Sequence, residues 1–375
     1  YFLCGFIMFI SFGARPWVAV IGAIGLGFAT ENLIIITVGH NTKALAIAYL
    51  PLILAGANYL FKKRYILGFN LIAIGMGLQV LVNHLQITYY TGILVGLFFL
   101  FQLIKHIKEK RIKDFGLASV LALLGVGLAL GANSLPLLLT NEYAKHTIRA
   151  KSELTLTKEN GKIAKAEKVS SGLTPSYAFS YSTGWTDIMA TIIPNYSGGD
   201  SDRLGLYYGD IGSTSGPKYM GAAFFLLMII GFMLYNGIEK WWLLIGLVVA
   251  IVLSMGGNHF TGINNFLFDN LPLFNKFRAP SIIMAIMQVC VGLMAILGLE
   301  QILQAKNDEG TTKKIKYAGF GALGFIIILT FFSGIFNDFN SNPKYDEVTG
   351  QVAFDSDTRY AQVSLQRSGQ QVTQQ

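Results

Sequence analysis

Charge is scarce in this chain. Only 13% of its 375 residues are Asp, Glu, Lys or Arg, against 53% hydrophobic residues and a mean hydropathy of +0.50. A soluble domain of this length carries far more charge, so that class is excluded. Cysteine is nearly absent as well. Cys4 and Cys290 both lie in apolar stretches, where they act as small hydrophobes, and a disulfide framework is excluded. There is no Walker loop, Rossmann fingerprint, serine-nucleophile elbow or zinc spacing such as HExxH. ATP-driven transport by this chain alone is therefore not expected. The chain shows no signal-peptide pattern. It opens at Tyr1 inside an apolar run and ends in a polar stretch, and it reads as an internal fragment of a larger membrane protein.

What is present is a ladder of apolar runs of about 18–22 residues, long enough to cross a hydrocarbon core about 30 Å thick. The runs are continuously apolar rather than alternating, which favours helices over a barrel. They fall at 1–12, 17–38, 44–61, 66–83, 90–104, 115–139, 220–237, 241–257, 282–303 and 317–336. The expected fold is an all-α polytopic membrane protein of about ten transmembrane helices with a large extracytoplasmic loop. Four regions follow: a transmembrane region 1–140, the loop region 141–219, a second transmembrane region 220–336, and an extracytoplasmic tail 337–375.

Basic residues cluster in alternate short loops: Arg15, Lys62-Lys63-Arg64, 105–113, Lys240 and 306–316. Cytoplasmic loops are enriched in Lys and Arg, so the other set of loops is expected to face outward. The net charge of +8 is no nucleic-acid signal, because its excess sits in short loops beside the spans, where it meets anionic lipid.

The outward set contains the residues capable of chemistry. Residues 141–171 are rich in Lys, Glu, Ser and Thr, with a hairpin turn expected at Asn160-Gly161. Residues 172–219 are rich in Tyr, Gly and Ser and suit a folded pocket rim. Tyr181 and Trp185 precede Asp187, and Tyr208 precedes Asp210. Aromatic faces stack on sugar rings, and a carboxylate accepts hydroxyl hydrogen bonds, acts as a general base, or holds a divalent cation through oxygen. The competing reading is loop architecture, with Asp as a cap and Gly and Pro as turns. Lys276 and Arg278 are cations on the face expected to lack them. They could bind a phosphate, with Arg giving paired hydrogen bonds, or merely snorkel to lipid headgroups. His40 and the group His84, Gln86 and Tyr90 fall on the same face, as base or contact candidates. Glu31 lies in the outer third of a span, where a carboxylate needs a partner or a polar cavity.

Several segments together resemble the YfhO-type family of bacterial integral membrane proteins. They are Gly39-His40-Asn41-Thr42-Lys43, Ala48-Tyr49-Leu50-Pro51, His84-Leu85-Gln86-Ile87-Thr88-Tyr89-Tyr90, Ile193-Pro194-Asn195-Tyr196 with Gly198-Gly199, Tyr208-Gly209-Asp210 with Thr214-Ser215-Gly216-Pro217, and Phe274-Asn275-Lys276-Phe277-Arg278. That family is similar to the GT-C class of polytopic glycosyltransferases. The resemblance implies a multi-pass protein of the bacterial inner membrane that moves a sugar from a polyprenyl-phosphate donor to an outer-face glycan, polymer or protein acceptor. It also implies that the main catalytic acidic residue lies in a loop before this fragment, so the fragment alone is expected to be inactive.

On this reading Lys276 and Arg278 hold the donor phosphate. Asp187, Asp210 and His84 are the catalytic candidates, and His40, Gln86, Tyr90, Tyr181, Trp185 and Tyr208 contact substrate. The sequence names no certain cofactor, and a divalent cation is the one this chemistry allows. Two other readings remain open. One is a transporter or lipid flippase with Glu31, Asn58, Asn70, Gln79, Asn83 and Gln288 along a polar path. The other is a non-catalytic envelope assembly factor.

Overall fold

In the computed structural model, residues 1–150, 156–159, 162–165, 172–201, 206–211, 214–305 and 309–336 are described. The chain begins with α1 (Phe2–Phe12), α2 (Pro16–Gly27) and α3 (Thr30–Thr37). Gly13 closes α1 in the left-handed conformation (φ 103°), and Pro16 opens α2 at a position whose amide needs no partner. Next come α4 (Asn41–Phe61), α5 (Tyr65–Leu81), α6 (Leu85–Lys108), α7 (Ile112–Ala132) and α8 (Ser134–Ala144).

The loop region holds strands β1 (Leu156–Glu159) and β2 (Lys162–Lys165) and short helices α9 (Pro175–Ala178) and α10 (Trp185–Ala190). The strands pair antiparallel with Glu159 opposite Lys162; the turn expected at Asn160-Gly161 lies outside the described residues. After it come α11 (Ala222–Leu234), α12 (Glu239–Ser254), α13 (Thr261–Asn270), α14 (Met284–Gln304), α15 (Glu309–Phe331) and α16 (Ser333–Phe336).

The chain is a helical, multi-pass membrane protein by the length and composition of its helices. Five are long and apolar enough to cross a membrane: α4, α6, α7, α14 with its leading 3-10 turn, and α15. A sixth span forms if α2 and α3, bent by 47°, count as one. The ten expected runs thus do not all become long helices. Among the described residues, Phe2–Phe12, Tyr65–Leu81 and Ala222–Leu234 are apolar but shorter. Two boundaries also move. The stretch from His84 to Tyr90, expected as a turn, forms the start of α6, because Asn83 (φ 55°) has already reversed the chain and no breaker follows. Residues 309–316, expected as loop, form the first turns of α15. The tail 337–375 lies outside the described residues.

The break between α2 and α3 has a visible cause. Asn32 Nδ2 donates to the Leu26 carbonyl at 2.8 Å, replacing a helical bond that the bend removes. Thr30 Oγ1 meets the carbonyls of Pro217 and Tyr219 at 2.9 and 2.8 Å, which pins the bend to the end of the loop region.

Helix α14 is the centre of the bundle. Its apolar window is 89% buried and that of α4 is 83%, whereas α7 reaches 17% and α15 only 11%. Helices α2, α11 and α12 surround α14. Helix α7 rests on α5 through a narrow stripe of Ala118, Ala122, Gly125 and Ala129 and exposes Leu123 and Leu124, as a lipid-facing helix does. The α4–α5 hairpin is tighter still. A Cβ on Gly56 would lie 2.9 Å from the Gly68 carbonyl oxygen, and one on Gly68 would lie 2.8 Å from that of Gly56. Only glycine lets these two backbones touch. Buried polar side chains tie the helices further: Asn58 donates to the Ser11 carbonyl, and Gln79 to Ala46 and Thr91.

Contacts define two ends of the bundle. At the basic end, Arg15 pairs with Glu300 at 3.0 Å, Lys63 with Asp114 at 2.9 Å, and Arg111 with both Glu109 and Asp114. At the opposite end, α3 and the first turns of α4 and α6 meet the loop region and the start of α14.

Candidate functional site

Residues 172–220 are not a loose loop. Thr183 donates its amide to the Ser254 carbonyl at 2.9 Å and shares a hydroxyl hydrogen bond with Ser254, both side chains being fully buried. Asn258 Nδ2 donates to the Ser182 carbonyl, and the Met220 amide to the Thr191 carbonyl. The region is therefore seated on the C-terminal end of α12.

Asp187 is the internal hub. Its carboxylate accepts from the Gly184 amide (2.9 Å), the Asp210 amide (3.0 Å) and the Tyr207 hydroxyl (2.6 Å), and the side chain is 3% exposed. The first bond is that of a capping box at the start of α10. Burial pushes its carboxyl above the usual range, while the Tyr207 and amide hydrogen bonds oppose the rise. With three donors on two oxygens, Asp187 joins 184–190 to 207–211. Asp210 is the exposed partner, and its Oδ2 abuts Gly184, where any Cβ would collide with it. Trp185 follows directly, 43% exposed, with its ring 5.8 Å from that of His259 and 6.2 Å from that of Phe260. An open carboxylate thus stands beside an open aromatic platform. Tyr208 is half-buried, and its amide donates to the Ser197 carbonyl at 2.7 Å.

A second group forms around Arg278. Its guanidinium lies 4.4 Å from the Tyr177 ring centre and 4.8 Å from that of Tyr181. Nε donates to Ser180 Oγ at 3.1 Å and Nη1 to Tyr177 Oη at 2.8 Å. Gln86 Nε2 reaches from the first turn of α6 to the Arg278 carbonyl at 2.7 Å and to Tyr90 Oη at 3.0 Å. Gln86, Tyr90, Phe179 and Arg278 line a narrow cleft. Two non-glycine residues there hold left-handed backbone, Tyr181 (φ 63°) and Ala279 (φ 59°), and such strain concentrates at functional sites. Lys276 sits apart from the guanidinium's partners. Its ammonium donates to the Arg149 carbonyl at 2.7 Å, and Arg149 Nε returns a bond to the Lys276 carbonyl at 3.0 Å.

His40 and His84 form the N-caps of α4 and α6, neither making a side-chain cap bond. His40 is exposed. Burial, then the charges of Lys43 and His40, push His84 down to about 4, so its neutral imidazole is the stable form at pH 7. Among the described residues no three His, Cys, Asp or Glu side chains converge as a metal site would need.

The structure therefore gathers Gln86, Tyr90 and Arg278 at one cleft with Tyr181 against the guanidinium, and Asp187, Asp210 and Trp185 in another patch. Sequence reading missed Tyr177, Ser180, Tyr207 and His259. Tyr207 stood beside the chosen Tyr208, and period-two alternation in an extended segment was the only available signal that one tyrosine turns inward. Three of the six residues considered for a polar path tie helices together instead: Asn58 and Gln79 as above, and Asn83 with Thr140 at 3.0 Å.

Comparison with family models, curated proteins and solved structures finds no match to this chain.

Proposed function

We propose that the chain belongs to a GT-C-like membrane glycosyltransferase of the YfhO type, with about ten spans in a bacterial inner membrane and the loop region on the outer face. The observation that carries this reading is the Arg278 cleft at the mouth of the helical bundle. There a guanidinium lies against two tyrosine rings and presents a planar fork of donors, the geometry that suits a phosphate. A polyprenyl-phosphate sugar presents its phosphate at that depth and its sugar to the polar side.

In the proposed step an acceptor hydroxyl oxygen attacks the anomeric carbon. The bond from that carbon to the phosphate oxygen breaks, and the phosphate leaves with the electron pair. Asp210 is the open carboxylate suited to take the hydroxyl proton, and Trp185 offers a face for a sugar ring. Asp187 acts as a positioning residue by holding the Asp210 amide. Arg278 stabilises the leaving phosphate.

The test is transfer from labelled polyprenyl-phosphate sugars by the full-length parent protein in membranes. Asp210→Ala should abolish transfer and leave the fold intact. Arg278→Lys, which keeps the charge but not the planar fork, should weaken donor use about tenfold. Folded protein that transfers from no donor, and only moves the lipid between leaflets or only captures a partner, would overturn the enzyme reading.

A further inference from the structure

Glu31 is 5% exposed at the first turn of α3 and meets two lysines, Lys43 at 3.5 Å and Lys218 at 3.4 Å. Their side chains are only 15% and 11% exposed. Two largely buried ammonium groups thus share one carboxylate. Charge-assisted bonds of this kind normally close to about 2.7–2.9 Å, so both lysines are loosely held. Each ammonium has three donors, and Glu31 is the one acceptor that either meets among the described residues.

The surroundings add positive potential. Lys43 lies in the first turn of α4, and His84 caps α6 close enough to feel the Lys43 charge. Two helix N-termini therefore point their amide ends here. Tyr1 packs alongside, within reach of the Glu31 charge, with its hydroxyl buried and lacking a hydrogen-bond partner. Lys43 directly follows the exposed turn 39–42. A buried surplus cation is costly unless an anion compensates it.

We propose that Lys43 and Lys218, braced by Glu31, form a second anion site that takes a phosphate group. It is separate from the Arg278 cleft and does not depend on the glycosyltransferase reading. The first turn of α6 lies between the two, with His84 on the Lys43 side and Gln86 bonded to the Arg278 carbonyl. The ligand chemistry is a phosphate oxyanion, either free or as a lipid headgroup.

The experiment is thermal unfolding of the purified chain in neutral detergent at constant ionic strength. Two probes are used: inorganic phosphate, and phosphatidic acid in mixed micelles. The wild type should gain Tm with at least one. Stabilisation by both assigns a free or esterified phosphate, and stabilisation by phosphatidic acid alone assigns a headgroup site. Lys218→Met and Lys43→Met each keep one Glu31 ion pair, and each should raise the half-saturating concentration about tenfold. Glu31→Gln removes the competing carboxylate and should lower it. Arg278→Ala should leave it unchanged, which separates this site from the cleft. No Tm gain with either probe, or an unaltered gain in whichever lysine variant folds, would overturn the proposal.

Discussion

The basic end of the bundle and the Glu31 cluster treat charge in opposite ways. At the basic end, cations meet carboxylates at ordinary distance: Arg15 with Glu300, Lys63 with Asp114, Arg111 with Glu109 and Asp114. In the loop-end cluster, Lys43 and Lys218 share Glu31 at 3.4–3.5 Å. Cations matched by fixed carboxylates serve structure and orientation. Cations that share one carboxylate retain attraction for a mobile anion. Position alone does not separate these uses, because each end lies beside apolar helix. The difference for Lys43 and Lys218 is that two cations share one carboxylate.

Removing Glu31 should break the comparison most severely. Glu31→Ala leaves two buried ammonium groups facing each other, and in phosphate-free detergent it should lower unfolding stability by about 3 kcal/mol. Chemical denaturation with and without added phosphate reads this, and a loss that phosphate does not restore would show the lysines to be purely structural.

At the other end, Glu300→Ala frees the Arg15 amide and guanidinium, which bond to Glu300 at 2.6 and 3.0 Å. Arg15 is 42% exposed and can reach water, so the expected loss is smaller, about 2 kcal/mol, and phosphate should not rescue it.

The smallest effect concerns pH. His84 binds its proton less readily when folded, at about 4, than when unfolded, near the ordinary value of 6.5. Below 6.5 the unfolded chain takes up a proton that the folded chain refuses. Stability should therefore fall as pH drops from about 6.5 towards 4, and His84→Gln should flatten that part of a thermal-unfolding profile. An unchanged slope would place the pH dependence elsewhere.

Much of the helical frame was legible. Apolar runs at 44–61, 66–83, 220–237 and 282–303 correspond to α4, α5, α11 and α14 within a few residues. The α2–α3 break was foreshadowed by Glu31-Asn32, whose polar side chains do not suit an uninterrupted span. The number of long helices was less legible, because hydropathy marks apolar runs without marking where caps and bends shorten them. Pairings across the chain were beyond reach. Asp187 and Asp210 carry the same functional group in similar surroundings, yet one is enclosed by Gly184, Tyr207 and the Asp210 backbone while the other faces outward. Lys218 looked like the end of a loop, and its approach to Glu31, 187 residues earlier, is a long-range contact with no local signature.

The sequence by itself determined that this is a helical membrane protein, because the length and continuity of apolar runs depend only on local composition and the thickness of a bilayer. It also determined which segments carry aromatic, acidic and basic groups at the loop end. Only the tertiary structure decided which of those groups are enclosed and which stay open. Burial and charge balance come from neighbours brought together by packing, as when α3, α4 and residue 218 converge on one carboxylate.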